Sequence, residues 1–189
     1  MPATDAQRWN RRYQEEQHAG FERPRAFLLA QAAWLPTHGL ALDVAMGLGA
    51  NAGWLLARGL NVIGVDISEI AARQAYARYP GLQAVIADLT AFSLPAHTFD
   101  VIVNFYYLQR DLWPQFVQAL RPGGVLIFET LTQAVRQVRP DISPEFLLAP
   151  GELHQGFAGL DVQVYREAWI EAGCDSRRAV ASMVATKPR

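Results

Sequence analysis

The sequence predicts an α/β fold: a Rossmann-like, doubly wound sheet, mostly parallel, of seven strands with an antiparallel edge hairpin and helices on both faces. Three observations predict it. Short apolar runs alternate with stretches of helical spacing from Leu40 to Glu129, the pattern of parallel strands joined by crossover helices. Phe99 to Tyr106 (FDVIVNFY) is apolar and β-branched almost without interruption, as a central strand covered on both faces requires. Asp43 to Gly49 (DVAMGLG) ends an apolar run in a glycine turn, and ligands of such sheets bind where the strands end.

Thr4 to Gln7 has the spacing of a capping box and opens a helix running to about Gln17, before Ala19-Gly20, with Trp9 and Tyr13 on one face. Pro24 suits the first turn of a second helix, along which Phe27, Leu28, Gln31, Trp34 and Leu35 recur at helical spacing until Pro36. Leu40 to Val44 is the first strand, and Asn51 to Arg58 a helix stopped by Gly59. Asn61 to Asp66 is the second strand, followed by a helix that Ser68 caps and Tyr79-Pro80-Gly81 ends. Leu82 to Asp88 is the third strand and Phe99 to Tyr106 the fourth; Asp111 is placed to cap a helix reaching Leu120. Arg121-Pro122-Gly123-Gly124 predicts a tight turn into the fifth strand, Val125 to Glu129. Three prolines between Thr132 and Pro150 predict a loop or lid with short helical pieces. Leu160 to Glu167 and Ala179 to Thr186, around Gly173, predict two antiparallel edge strands. With no repeat or linker, residues 1–189 are expected to form one domain, with an N-terminal helical lid over about residues 4–35 and a variable loop over about 131–156.

Composition removes several classes of function. Net charge is −1, and the arginines lie in scattered pairs such as Arg11/Arg12 and Arg177/Arg178, so no basic stripe offers a nucleic-acid footprint. Cys174 is the only cysteine, which excludes an internal disulfide and a cysteine-clustered zinc site and suits a cytoplasmic location. Met1 to Arg12 is polar where a signal peptide would be apolar, and no membrane-length apolar run occurs. His18, His38, His97 and His154 show no metal-ligand spacing, so no metal is expected. Oligomeric state leaves no mark in the sequence.

The glycine turn narrows the ligand. Gly47 and Gly49 let the backbone take positive φ and let a flat ligand lie against it. Gly47-x-Gly49-x-x-Ala52 fits the dinucleotide fingerprint, and Asp66 stands where an acid would hold a ribose diol. A nicotinamide-dependent oxidoreductase is therefore one reading. A pyrophosphate, however, would be repelled by Asp43 just before the glycines, whereas S-adenosylmethionine lacks phosphate and brings an ammonium and a sulfonium. The acids Asp43, Asp66 and Asp88 suit that cation. A non-catalytic protein that binds the same cofactor shares these features.

At this point the residues resemble class I S-adenosylmethionine-dependent methyltransferases, and among them the small tellurite-resistance-like group. The matching pieces are Trp9-Asn10-x-Arg12-Tyr13, ALDVAMGLGANAGWLLARG from Ala41, VDIS from Val65 and Ala87-Asp88-Leu89. Further along come FDVIVNFYYL from Phe99, LRPGGVLIFET from Leu120 and FLLAPGEL from Phe146. The resemblance implies that Gly47 and Gly49 face the methionine and ribose parts of S-adenosyl-L-methionine, the product being S-adenosyl-L-homocysteine. It implies that Asp43 supports the ammonium directly or through water and that Asp66 takes the ribose hydroxyls. Ile67 would pack on the adenine, Asp88 would accept from its amino group and the Leu89 backbone would read its edge. Asn104, just past strand four, would lie near the methionine moiety, and Trp9, Arg12 and Tyr13 would form a lid, Arg12 on the carboxylate. The strictest family loop has glycine where this chain has Ala45, and Met46 and Ala50 also depart from the group.

The implied chemistry is in-line methyl transfer to a small-molecule acceptor, in which the protein aligns the acceptor and excludes water. Tyr106, Arg110, Glu129 and His154 are acceptor-side candidates. Arg110, Arg136 and Arg139 are further expected to hold an acidic or oxyanionic acceptor. The lack of an Asp/His pair leans toward a soft acceptor such as a thiolate, which needs no base.

Overall fold

A computed structural model describes residues 2–15, 22–171 and 177–189. Five parallel strands come first: β1 (Leu40–Val44), β2 (Asn61–Asp66), β3 (Gln83–Ile86), β4 (Phe99–Phe105) and β5 (Leu120–Leu131). β6 (Asp161–Glu171) and β7 (Arg177–Thr186) pair antiparallel with each other, and β7 also with β5. The sheet order is β3-β2-β1-β4-β5-β7-β6. The winding direction reverses between β1 and β4, which opens a crevice beyond their carboxyl ends.

The helices are α1 (Pro2–Glu15), α2 (Ala26–Ala30), α3 (Ala50–Ala57), α4 (Glu69–Arg78), α5 (Trp113–Ala119) and α6 (Glu152–Gly156). Two cores divide them. On one face Trp113, Phe116, Leu153 and Phe157 from α5, α6 and the turn after α6 pack on Leu42, Val44, Ile102 and Phe128. On the other, Phe27, Leu28, Ala52, Leu55, Ala72 and Ala75 from α2, α3 and α4 cover Ala41, Val62, Val101 and Val103. Alternate residues of β1 and β4 therefore serve opposite faces, and both sets must be apolar. Trp113, Phe128 and Phe157 meet at centroid distances of 5.2–6.2 Å, each burial being worth about 1.5–3 kcal/mol before strain and entropy.

Several elements differ locally from the sequence prediction. The second helix is only α2, because the Gln31 N–H reaches both Phe27 and Leu28 carbonyls and the chain tightens into a 3₁₀ turn, Ala32–Trp34. Asp111 does not cap α5. It lies within the 3₁₀ turn Arg110–Leu112, and α5 starts at Trp113 with Pro114 in its first turn, where the missing proline N–H costs nothing. Arg121 to Gly124 belongs to β5, because Gly123 N–H donates to the Lys187 carbonyl and Lys187 N–H to that of Gly124. β6 and β7 are longer than predicted, extending to Glu171 and from Arg177; Gly173 and Cys174 lie outside the described residues, as do His18 and Ala19-Gly20. The predicted loop after β5 holds two 3₁₀ turns, Gln133–Gln137 and Pro144–Phe146. Ser68 caps α4 as predicted, accepting the Ala71 N–H at 3.1 Å.

Candidate cofactor and acceptor cavity

A cavity of about 490 Å³ opens at the carboxyl ends of β1, β2 and β4, within the range of small-molecule sites. Its wall includes Ala45 to Leu48 from the turn after β1, Asp66 and Ile67 after β2, Ala87 to Thr90 after β3, and Phe105 to Gln109 around the end of β4. Trp9, Arg12 and Tyr13 of α1 close one side; Arg25, Thr130, Leu131 and Phe146 reach the other.

Asp66 organises the first end. Its Oδ2 accepts the Gly47 N–H and its Oδ1 the Ser68 N–H, both at 2.8 Å. Burial raises its pKa, while the Ser68, Gly47 and Ile67 amides pull it back. Each carboxylate oxygen keeps a second acceptor site for a ligand hydroxyl. Ser68 Oγ in turn donates to Asn10 Oδ1 at 2.7 Å, and the same Asn10 oxygen accepts the Ile70 N–H at 3.2 Å. A single relay thus links the glycine turn, β2 and α1. Trp9 and Tyr13 stack at 5.9 Å, with Arg12 5.1 Å from the Trp9 ring centroid, and Tyr13 is buried against Leu48 and Ala71.

The two glycines do different things. Gly47 has φ +55°, and a Cβ there would stand 2.7 Å from the Tyr13 hydroxyl, so its absence clears the cavity floor beneath α1. Gly49 was expected to face the ligand, but a Cβ on it would meet Ala75 of α4 at 2.9 Å. Its φ of +75° forms the left-handed entry to α3, and it makes room for helix packing. Ala45, at the position the resemblance reserves for glycine, has φ +51°, so that glycine preference has a backbone cause.

Asp43 is buried within β1, and its Oδ2 has no hydrogen-bond partner. Burial, with Asp66 adding to it, pushes its pKa from 3.8 up to about 7, against the Ala52 backbone N–H and the Arg25 charge. It lies behind the wall, an arrangement that suits support through water. Asn104 is inside β4 rather than past it, donating from Nδ2 to the Tyr107 carbonyl at 2.8 Å and leaving Oδ1 unsatisfied. Asp88 accepts from the Thr90 N–H and hydroxyl at 2.9 and 2.7 Å through Oδ1 alone, which leaves Oδ2 for a ligand donor. Ile67 and Leu89 line the same end, as does Tyr107, whose pKa burial and the charge of Asp88 push up to about 12.

The acceptor-side candidates separate. Tyr106 lines the cavity with φ +57° and donates its hydroxyl to Glu129 Oε1 at 3.2 Å. Glu129 is buried, accepting also from Ser182 Oγ at 2.7 Å, with Arg166 at 3.8 Å; it braces Tyr106 from behind. Arg110 does not face the cavity: its guanidinium grips the Glu152 carboxylate and the carbonyls of Glu145 and Leu147, stapling the loop before α6. Arg139 pairs through two bonds with Asp141 and Arg136 is exposed, so neither reaches the cavity. His154 is exposed and lies edge-on to Tyr165 at 5.3 Å, away from the wall. Charge alone had not told which way these side chains point. Sequence reasoning missed Arg25, whose N–H is held by Asn51 Oδ1 at 2.9 Å and whose guanidinium lies 4.8 Å from the Tyr106 ring centroid. No spacing in the sequence links Arg25 to β4.

Comparison with known proteins agrees with this geometry. Residues 41–124 match the methyltransferase domain family. A probable S-adenosylmethionine-dependent methyltransferase of Mycolicibacterium smegmatis is 35% identical over 95 residues, covering 47% of this chain and 37% of that protein. The malonyl-[acyl-carrier protein] O-methyltransferase of Salmonella typhimurium is 30% identical over 125 residues, covering 64% and 50%. The chain therefore spans half or less of the length of these two curated relatives. The crystal structure of an S-adenosylmethionine-dependent methyltransferase from Methanosarcina mazei shares the fold, with TM-score 0.71 at 17% identity over 84% of this chain and 97% of that one. Over residues 41–124 the chain is thus similar to methyltransferase domains, and the similarity supports S-adenosylmethionine as the cofactor. The residues fit that group: a partnerless buried carboxylate oxygen at Asp43, a floor at Gly47 that a Cβ would fill, and Asp66 and Asp88 with free acceptor capacity. Among the described residues no cluster of His, Cys, Asp and Glu suits a metal ion, and no helix is long and apolar enough to cross a membrane.

Proposed function

We propose that the protein transfers the cofactor's methyl group to a small-molecule acceptor by in-line displacement. The observation behind this reading is the single cavity that is acidic at Asp66 and Asp88 and continues to Tyr106, Thr130 and Phe146, giving room for a cofactor and a small acceptor side by side. When bound, the cofactor supplies an electrophilic methyl on a good leaving group, so the acceptor's lone pair forms the new bond as the carbon–sulfur bond breaks. The chain's own work is alignment and water exclusion. Asp66 holds the ribose diol, Ile67, Asp88 and the Leu89 backbone take the adenine, and Asp43 and Asn104 support the methionine end. Trp9, Arg12 and Tyr13 on α1 form the lid, with residues 131–156 as the variable wall; residues 1–189 act as one domain. Tyr106 orients the acceptor. Its pKa is raised by burial and then by Glu129, so it serves as a hydrogen-bonding group rather than a base at neutral pH. The Trp9-Asn10-x-Arg12-Tyr13 opening supports the small tellurite-resistance-like group, the lack of an Asp/His pair a soft acceptor atom, the lone Cys174 a cytoplasmic location, and the scattered arginines an acceptor other than nucleic acid.

Incubation with methyl-labelled S-adenosylmethionine and a panel of thiols, metalloid oxyanions, phenols and small acids should move label to one class. Tight cofactor binding without transfer to any acceptor would instead identify a binding protein.

A further inference from the structure

The cavity carries one large apolar side chain that the packing of the fold does not use. Phe146 lines the cavity and is 52% exposed, and it joins none of the apolar clusters formed among the described residues. A single exposed apolar side chain is ordinary on a protein surface. What sets this one apart is its mounting. The Arg110 guanidinium donates to the carbonyls on both sides of it, Glu145 at 3.0 Å and Leu147 at 3.1 Å, and also grips the Glu152 carboxylate. Glu152 Oε2 in turn accepts the Ala149 N–H at 2.8 Å. Two residues after Phe146, the Leu148 N–H donates to the Leu131 carbonyl at 3.0 Å and the Leu148 carbonyl accepts from the Gln133 N–H at 2.9 Å, which ties the segment to the end of β5. The Phe146 N–H is itself bound, to the Ser143 carbonyl at 3.2 Å, so the ring is what this residue offers the cavity. A ring on a backbone pinned from both sides is pre-organised, and packing on it costs little further ordering.

Topology decides which ligand meets that ring. Asp66 ends β2 and Asp88 follows β3, whereas Phe146 is tied to β5, and the sheet order sets β1 and β4 between β2 and β5. Three strand steps separate the two, roughly 14 Å at the usual spacing of neighbouring strands. An adenosine held at Asp66 is therefore remote from Phe146, which stands with Tyr106, Thr130 and Leu131 on the part of the wall left for the acceptor. We propose that Phe146 is a specificity-determining residue that packs on an aromatic body of the methyl acceptor, and that Arg110, through Glu152 and the two carbonyls, is the positioning residue that holds it there. The proposal rests on the methyltransferase reading above and adds the class of acceptor. The aromatic body is the handle, whatever charge the reacting group carries, and the methylated atom is the nucleophile elsewhere on the same molecule.

The test uses acceptor pairs that share a nucleophile and differ in body: phenylmethanethiol against ethanethiol, and phenylacetate against acetate. Label transfer from methyl-labelled cofactor and calorimetric binding to protein saturated with S-adenosylhomocysteine are both measured. In at least one pair the aromatic member is expected to bind roughly tenfold tighter, with the gain in KM rather than kcat, as suits the burial of a ring against a ring. Phe146→Ala should erase that preference and Phe146→Trp should keep it, while the Kd for S-adenosylmethionine and the thermal midpoint stay unchanged in both. Arg110→Met should lower the preference by releasing the turn; an unchanged ratio there removes its positioning role. Equal binding of aromatic and alkyl members, or a preference that survives Phe146→Ala, overturns the assignment of Phe146. A weakened cofactor Kd or a lowered thermal midpoint in Phe146→Ala also overturns it, since the ring then serves the cofactor or the fold. Absence of cofactor binding in the unmodified protein would instead remove the methyltransferase reading itself.

Discussion

Lowering the pH from 7 to 6 should weaken S-adenosylmethionine binding about fivefold through one side chain. Asp43 is buried, one of its oxygens has no partner, and its pKa in the empty protein stands at about 7. If the cofactor's ammonium selects the ionised carboxylate, the apparent Kd rises with the fraction of Asp43 that is protonated. That factor is about 2 at pH 7, about 11 at pH 6 and about 30 at pH 5.5. Below pH 7 the cofactor amine stays charged, so the window isolates the protein. Titration calorimetry in two buffers of different ionisation enthalpy should report release of close to one proton at pH 6. Asp66 is shifted in the same direction, and Asp43→Asn separates the two: in that variant the affinity should be lower and flat across the window. Stability moves the opposite way. Because the folded pKa exceeds the unfolded one, protonated Asp43 contributes stability fully below about pH 4, and that contribution is lost as the pH rises through 7, to an upper limit of about 4 kcal/mol. Asp43→Asn should therefore stabilise the empty protein at pH 8, read by urea unfolding. A Kd that stays constant from pH 5.5 to 7, with no buffer-dependent heat, would refute the role given to Asp43.

Three further outcomes follow from the turn and the lid. Ala45→Gly should raise stability by roughly 0.5–1 kcal/mol, because glycine relieves the positive φ by more than its unfolded-chain entropy costs; a loss in chemical denaturation would show that Ala45 packs to advantage. Gly47→Ala places a methyl 2.7 Å from the Tyr13 hydroxyl and should weaken cofactor binding on the order of tenfold while the far-ultraviolet spectrum is unchanged; an unaltered Kd would remove α1 from the site. Asn10→Ala breaks the bonds to Ser68 and Ile70, at about 1–3 kcal/mol, and should raise amide exchange in α1 and speed cofactor release in stopped flow. Unchanged exchange would mean that other contacts hold that helix.

Much of the architecture was legible in the chain itself, for reasons particular residues make plain. Leu40–Val44 and Asn61–Asp66 are strands over the predicted spans because each is bounded by its own punctuation, glycine before or an acid at the end. The third strand is shorter than read: it ends at Ile86, and Asp88 already turns to bond Thr90. The extra length of β6 and β7 was hidden because residues such as Arg166 and Glu171 tolerate either a ladder or a loop. In the site, Asp66 and Tyr13 could be placed from type and spacing, since a strand end and a helix face fix them. Gly47 and Gly49 looked alike, and only their neighbours, Tyr13 and Ala75, distinguish them. Arg25 and Arg178 could not be found this way, because residues far apart in the chain meet over Tyr106 through tertiary packing alone.

Ala45 and Tyr106 leave the neighbouring strands β1 and β4 with the same left-handed twist, φ +51° and +57°. At both strand ends the turn away from the sheet is thus set by backbone conformation. Side chains along the rim can therefore be exchanged without altering the bend each strand makes as it leaves the sheet.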